Sequence, residues 1–204
     1  MGFDIRCSCG QCAISLRSAS PELSLLCGCE DCRQALAWGA AQGGRSADPL
    51  PHLFYIRSDI TCVQGLEYMQ PVQLRGEAKS TRVYCSTCYA VLAVDHPGYQ
   101  DHVFMFFKGH CDTSGDLTLK PSAAIYMNDY PDKPIPNIPA DIPVFQSFQD
   151  PKNQKRFRAL PAISNSFRIP AKPAEGQSLR ELIPNMQPLR VLNLAKGAPD
   201  LRAM

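Results

Sequence analysis

The sequence predicts a mainly β protein built from small packed antiparallel sheets. Short runs rich in β-branched and aromatic residues alternate with turn-forming glycines and prolines through most of the chain. Cysteines occur in close clusters at the ends of such runs, which is typical of small sheets held by metal sites. Only one segment before residue 150 has a convincing helical composition. The chain has 204 residues, enough for one domain and an extension.

The strands are predicted from apolar runs bounded by turn residues. Gly10 allows a tight turn between the first two strands because glycine tolerates a positive φ. The predicted strands cover residues 3–6, 13–17, 23–26, 52–57, 60–63, 72–74, 83–84, 89–94 and 103–107.

One short helix is expected over residues 33–38, directly after a cysteine cluster, with Asp31 as its N-cap. The positive end of its dipole would then face the cluster and favour thiolates.

Proline spacing predicts an irregular strap lying on the core after residue 130, because proline resists both helix and central strand. Phe145 and Phe148, with Val144, are its expected anchors. The prolines of this strap are Pro131, Pro134, Pro136, Pro139 and Pro143.

The charge distribution predicts two regions. The chain carries +2 overall, but residues 150–204 have ten Lys and Arg against four Asp and Glu, or +6, which leaves −4 for residues 1–149. We therefore expect a compact domain over 1–149 and a basic, proline-containing extension over 150–204. The extension is predicted to be partly disordered or loosely docked, with one brief helix at 179–183.

Composition also excludes several classes of protein. The small net charge gives no support for nucleic-acid binding, and no apolar run approaches the roughly 20 residues of a membrane helix. The N-terminus lacks a secretory pattern, so we expect an unprocessed, cytoplasmic protein. In a reducing compartment, ten cysteines are better explained by metal binding than by disulfides.

Four cysteines can form a closed metal site. Cys7 and Cys9 follow the first predicted strand, and Cys85 and Cys88 occupy a similar turn later in the chain. Four thiolates around Zn²⁺ complete its tetrahedral shell, so such a site contributes folding free energy and no chemistry. The sequence predicts that this structural zinc joins two distant hairpins.

Cys27, Cys29 and Cys32 form a second cluster, which has one thiol fewer than a closed zinc site needs. With three protein ligands a zinc ion keeps one open position, where an incoming thiol would bind as thiolate. A second structural zinc or a loose thiol cluster are the alternatives. A fourth ligand would come from Cys12, Cys62, Cys111, His52, His96, His102 or His110, although Cys12 and Cys111 are more easily interpreted as core residues.

The cysteine motifs resemble those of the glutathione-dependent formaldehyde-activating (GFA, or CENP-V/GFA) family. The resemblance covers roughly residues 3–149. It rests on Cys7-Ser8-Cys9-Gly10, Cys27-Gly28-Cys29-Glu30-Asp31-Cys32-Arg33, Arg82-Val83-Tyr84-Cys85-Ser86-Thr87-Cys88, Gly109-His110-Cys111-Asp112 and Lys120-Pro121-Ser122-Ala123-Ala124-Ile125.

The resemblance implies a β-tent fold with two zinc ions, one structural and one of catalytic type. It further implies a carbon-sulfur lyase that joins glutathione to formaldehyde as S-(hydroxymethyl)glutathione. The reactive zinc would be held at the positions of Cys27, Cys29 and Cys32, and Arg33 is a candidate contact for a glutathione carboxylate.

The chain departs from the family pattern at two places. Tyr89 stands where the family usually has glycine, so this turn must either avoid a positive φ or strain a bulky residue. The small-residue step that follows the second cluster comes two positions late, at Gly39-Ala40 after Trp38.

A non-catalytic protein is the alternative function. In that case the zinc-stabilised fold would carry glutathione or bind a macromolecular partner, and the basic extension would contact an acidic surface.

Overall fold

The computed structural model describes residues 2–46, 48–130, 138–166 and 176–197, and this part of the chain is mainly β. Its strands are β1 (Phe3–Arg6), β2 (Ala13–Leu16), β3 (Leu23–Cys27), β4 (His52–Arg57), β5 (Ile60–Gln64), β6 (Met69–Gln73), β7 (Thr81–Cys85), β8 (Val91–Asp95), β9 (Val103–Phe107), β10 (Asp112–Thr113), β11 (Ala124–Ile125) and β12 (Arg190–Val191). Its α-helices are α1 (Glu30–Ala41), α2 (Pro151–Arg158), α3 (Pro161–Ser166) and α4 (Leu179–Leu182).

These strands form two sheets. Within the described residues, the smaller sheet has the order β10-β1-β2-β5 and the larger has the order β11-β3-β4-β9-β8-β7-β6-β12. Neighbouring strands are antiparallel, as predicted, except that the two outermost pairs of the larger sheet, β11 with β3 and β12 with β6, are parallel. The mainly β prediction is therefore confirmed.

The larger sheet is covered on both faces, which explains why its central strands are continuous apolar runs. In β4, Phe54 and Ile56 belong to the core cluster shared with the smaller sheet. Leu53 and Tyr55 alternate with them and join the cluster on the opposite face, which also contains Trp38 of α1. The second cysteine cluster lies on this opposite face.

The nine predicted strands are all present, with ends shifted by a few residues. The largest shift is at β6, which begins at Met69 rather than at residue 72. Three strands of two residues each, β10, β11 and β12, were not predicted, because so short a run carries no periodic signal.

The helix after the second cluster was predicted too short and with the wrong cap. It begins at Glu30, its N-cap is Cys29, and the Cys29 Sγ accepts a hydrogen bond from the Cys32 backbone N–H. Asp31 lies within the first turn instead. Cys29 and Cys32 thus belong to the helix terminus, whereas Cys27 ends β3.

The prediction of a single brief helix in the extension was also wrong. The structure adds α2 and α3, and α2 is capped by the Asp150 carboxylate with Pro151 in its first turn. The predicted helix at 179–183 is α4, whose Ser178 and Glu181 form a reciprocal capping box.

The described part of the extension packs closely on the sheets. Leu179 and Leu182 of α4 are buried in the core shared by the two sheets. Arg180 pairs with Asp95 at 3.1 Å, and β12 adds a strand beside β6. The boundary between residues 149 and 150 stays a prediction.

The strap prediction falls partly outside the described residues, since Pro131, Pro134 and Pro136 lie in 131–137. In the described part, Phe145 is buried as predicted, and Val144 forms a parallel bridge with Ala124. None of the helices in the described ranges is both long enough and apolar enough to cross a membrane.

Candidate metal centres and the adjoining cavity

Cys7, Cys9, Cys85 and Cys88 come together as predicted, where the turns after β1 and β7 meet. Their Sγ atoms all lie within 4.8 Å of one another. The Cys7 and Cys9 sulfurs are 3.4 Å apart, and those of Cys9 and Cys85 are 3.6 Å apart. All ten cysteines of the chain are free thiols, so disulfides do not account for these contacts.

The spacing of these four sulfurs suits a tetrahedral metal. Zinc-sulfur bonds of about 2.3 Å put two thiolates of a tetrahedral site about 3.8 Å apart, close to the observed separations. The thiols of this cluster differ in pKa: burial raises the pKa of Cys9 to about 12 and also raises that of Cys85. Burial raises the pKa of Cys88, but hydrogen bonds from the Ser8 hydroxyl and from backbone N–H groups outweigh it and lower this pKa to about 6. The Cys12 backbone N–H donates to Cys7 Sγ at 3.1 Å.

Cys27, Cys29 and Cys32 form the second cluster, at the junction of β3 and α1. Gly28 allows this junction to pack tightly, because a Cβ there would lie 2.8 Å from the Tyr126 carbonyl oxygen. In the described part of the chain, no other cysteine and no histidine, aspartate or glutamate joins the three thiols as a fourth ligand.

The three thiols are electrostatically unequal. Hydrogen bonds from the Cys27 and Cys32 thiols lower the pKa of Cys29 well below its ordinary value, and the Cys32 backbone N–H adds to this effect. The N-terminus of α1 lies at the same point, and its partial positive charge stabilises a thiolate. Two thiols beside one stabilised thiolate are a suitable donor set for a soft or borderline metal ion such as zinc.

A cavity of about 620 Å³ opens beside the second cluster. Its volume is within the range of small-molecule sites in proteins. Apart from the three cysteines, its walls are mainly apolar and aromatic, with a few charged groups. The apolar and aromatic lining residues are Leu25, Leu53, Tyr55, Val94, Tyr99, Met105, Ile125, Tyr126, Phe148 and Phe157. The polar and charged ones are Glu30, Asp31, Ser80, Arg82, His96, Asp129, Gln149 and Lys196.

The histidines and the other cysteines lie away from the three thiols or serve other contacts. His96 lines the cavity, whereas His52 shares a 2.5 Å hydrogen bond with Ser24. Cys12 and Cys111 are buried in the core, as expected, and Cys62 is exposed.

Arg33 and Arg45 have structural partners. Arg33 donates to the carbonyl oxygens of Gly28 at 3.1 Å and Asp129 at 2.6 Å, and it is not among the residues that line the cavity. Its role as a substrate contact stays a prediction. Arg45 pairs with Asp112 at 2.8 Å.

The two departures from the family pattern contact each other. Tyr89 adopts a φ of 52°, so the bulky residue does take the strained conformation. Its ring lies edge-on to that of Trp38, with 5.8 Å between centroids. The delayed small residue Gly39 lies close to the Tyr89 carbonyl oxygen, where a Cβ would be 3.0 Å away. Neither aromatic ring lines the cavity.

Sequence reasoning missed several cavity residues. Tyr55 and Tyr99 face each other edge-on, with centroids 5.6 Å apart, and Phe157 arrives from the extension. The alternation in β4 was a usable signal, since Leu53 and Tyr55 share the face of the sheet on which the cluster lies. Nothing local in the sequence connects residue 157 to the cluster.

The fold and these two centres define a mainly β protein with two cysteine clusters, each able to hold a metal ion. A family model described as "Glutathione-dependent formaldehyde-activating enzyme" matches residues 2–129, more than half of the chain. The chain therefore belongs to the GFA family. Among curated proteins, no match was found.

Proposed function

We propose that the protein is a zinc enzyme that adds a thiol, such as glutathione, to a small aldehyde, such as formaldehyde. The product is an S-hydroxymethyl adduct, and in the reverse direction the activity is that of a carbon-sulfur lyase. The observation that carries this proposal is the three-thiol cluster beside the cavity, which lacks a fourth protein ligand in the described residues.

The two clusters would have different roles. Cys7, Cys9, Cys85 and Cys88 would hold a structural zinc whose shell the protein completes. Cys27, Cys29 and Cys32 would hold the second zinc, which would supply an open position where a substrate thiol binds as thiolate.

The chain itself would bind, orient and shield the reactants. The apolar walls formed by Leu25, Met105 and Phe157 would exclude water from the thiolate and the aldehyde. Lys196 lies at the same cavity and offers a cation for one of the two carboxylates of glutathione. Because thiol-aldehyde addition is intrinsically easy, positioning the two reactants supplies most of the rate enhancement that is needed.

We also assign the protein to the cytoplasm, since free thiols suit a reducing compartment. In this account the basic extension over 150–204 completes the cavity, because Phe157 and Lys196 line it.

The test pairs two serine variants that make the same chemical change. Cys29→Ser should lose one zinc ion per chain and the enzyme-dependent exchange between free formaldehyde and its glutathione adduct, measured by NMR exchange spectroscopy. Cys62→Ser alters an exposed thiol of β5 and should keep both zinc ions and full activity.

Retention of both zinc and activity by Cys29→Ser would refute the assignment. If the wild-type protein binds glutathione in calorimetry but accelerates no exchange, the non-catalytic carrier is the correct function.

A further inference from the structure

Arg82 is a buried cation with an unused donor beside the second cluster. It lines the cavity and is only 2% exposed. Its Nε has no hydrogen-bond partner among the described residues. Its other two nitrogens make long contacts, from Nη1 to the Ser80 carbonyl at 3.3 Å and from Nη2 to the Asp31 carbonyl at 3.4 Å. A buried polar group without a partner costs free energy and calls for an explanation.

Arg75 is a buried arginine of the same protein whose contacts are all structural, and it serves for comparison. It is 5% exposed, and its nitrogens donate at 2.6 Å to Asp31, 2.5 Å to Gln34 and 3.0 Å to the Leu194 carbonyl. A guanidinium that only stabilises the fold is therefore fully and closely paired here. Arg82 is buried to a similar extent, but its hydrogen bonds are longer and its Nε–H has no acceptor among the described residues.

The cavity that Arg82 lines also has an aromatic side. Formaldehyde has no ring or apolar group that could contact such a side. Two of the rings on this side come from residues beyond the family match, which ends at residue 129. Phe148 and Phe157 lie 4.8 Å apart between centroids, and Tyr126 is edge-on to Phe148 at 4.9 Å. Such rings favour a flat apolar ligand.

From these two observations we infer that the carbonyl substrate of this cavity is an aromatic aldehyde. Arg82 binds its oxygen through Nε, and Phe148 and Phe157 contact its ring. The inference deepens the proposed function and depends on it for the thiol partner.

The thiolate sulfur forms a bond to the carbonyl carbon, and the π electron pair of the C=O bond moves to the oxygen. Arg82 Nε–H donates to that oxygen as its negative charge develops, and the guanidinium stays protonated throughout. The proton that the thiol lost returns to the oxygen through solvent, so thiol and aldehyde give one hydroxyalkyl thioether.

Benzamide is a suitable probe because it carries the ring and carbonyl oxygen of an aromatic aldehyde but does not react with thiols. With the zinc-loaded wild-type protein, benzamide should shift the Arg82 Nε–H signal in a ¹⁵N NMR spectrum. Formamide, which lacks the ring, should leave the signal in place at the same concentration. The spectrum of Arg82→Lys identifies the signal.

Two variants give a second reading by titration calorimetry. Arg82→Lys and Phe157→Ala should each weaken benzamide binding by about tenfold, the scale of one hydrogen bond to a charged group or of one lost aromatic contact. An unmoved Arg82 signal, or equal benzamide affinity in wild type and both variants, would overturn the inference. Neither readout requires turnover, so a benzamide response without enzyme-dependent addition of glutathione to either formaldehyde or benzaldehyde would refute only the proposed reaction.

Discussion

The Arg75 guanidinium lies 2.6 Å from the Asp31 carboxylate, within the helical turn that holds Cys32. The same side chain donates to Gln34 of α1 and to the Leu194 carbonyl of the extension. Arg75, which follows β6, therefore connects the helix that carries Cys32 to the C-terminal segment.

Replacing Arg75 by alanine should lower the free energy of unfolding by about 2 kcal/mol, because the Gln34 amide and the Leu194 carbonyl lose a close partner. Loss of the ion pair with Asp31 adds little to this cost, because the Asp31 side chain is partly exposed and stays hydrated. Urea unfolding of the zinc-loaded protein measures it.

Arg45→Ala is the matched control, since Arg45 pairs with the exposed Asp112 near the surface. Its cost should be within about 1 kcal/mol. Equal losses in the two variants would show that the Arg75 contacts contribute no more than a surface ion pair.

Gly65→Ala should destabilise the protein strongly. Gly65 has a φ of 69°, and a Cβ there would lie 2.0 Å from the Gln11 carbonyl oxygen. The left-handed conformation and the clash together should cost about 3 kcal/mol. Gly109→Ala, at a φ of 78° with no atom within 4 Å of its Cβ, should cost about 1 kcal/mol. The midpoint of thermal unfolding should therefore be lower for Gly65→Ala than for Gly109→Ala. Similar midpoints would contradict the crowding at Gly65.

Cys9→Ser should remove the structural metal. Metal content should fall from two ions to one per chain, and the free energy of unfolding should fall by about 3 kcal/mol or more, because a structural zinc contributes folding free energy directly. Cys62→Ser supplies the control by changing an exposed thiol outside both clusters. Mass spectrometry under native conditions counts the ions after competition with a zinc chelator, because the three remaining thiolates could still hold an ion weakly. Chelator resistance equal to that of Cys62→Ser would show that Cys9 is not a ligand.

Stability should fall on mild acidification partly because of His52. Burial, assisted by the charge of Lys108, lowers the pKa of His52 from its ordinary 6.5 to about 4. Between these values the unfolded chain binds a proton that the folded protein does not, so stability is lost as pH falls from about 6.5 toward about 4.

His52→Gln should have a flatter stability curve than wild type over the same pH range, while glutamine can still hydrogen-bond Ser24. Comparing the two proteins in the same buffers cancels the acid sensitivity of the thiolates. Parallel curves would show that His52 titrates normally in the folded state.

The strands and the metal clusters could be predicted because their signals are local. β4 and β9 are unbroken apolar runs that match their predicted bounds, and the spacing of Cys27, Cys29 and Cys32 itself brings the thiols together. The start of α1 was misplaced because cysteine is an uncommon N-cap, whereas Asp31 is a favoured type.

The features of the fold and of the cavity that could not be predicted depend on contacts between distant parts of the chain. Arg75 donates to the Leu194 carbonyl, and Phe157 lines a cavity whose thiols come from residues 27–32. Neither contact is visible in the local sequence. The missed helix α2 did carry a signal, since Asp150 followed by Pro151 is a favourable helix start. Its basic, interrupted composition instead predicts a segment without regular structure.

The central claim is that Cys27, Cys29 and Cys32 hold a metal ion that accepts a substrate thiol. Cobalt(II) substitution tests it directly, because thiolate ligands give charge-transfer absorption whose intensity grows with their number. The account predicts two cobalt ions per chain and an increase in absorption equivalent to one further thiolate when glutathione is added, absent in Cys29→Ser. An unchanged spectrum in the wild-type protein at saturating glutathione would contradict it.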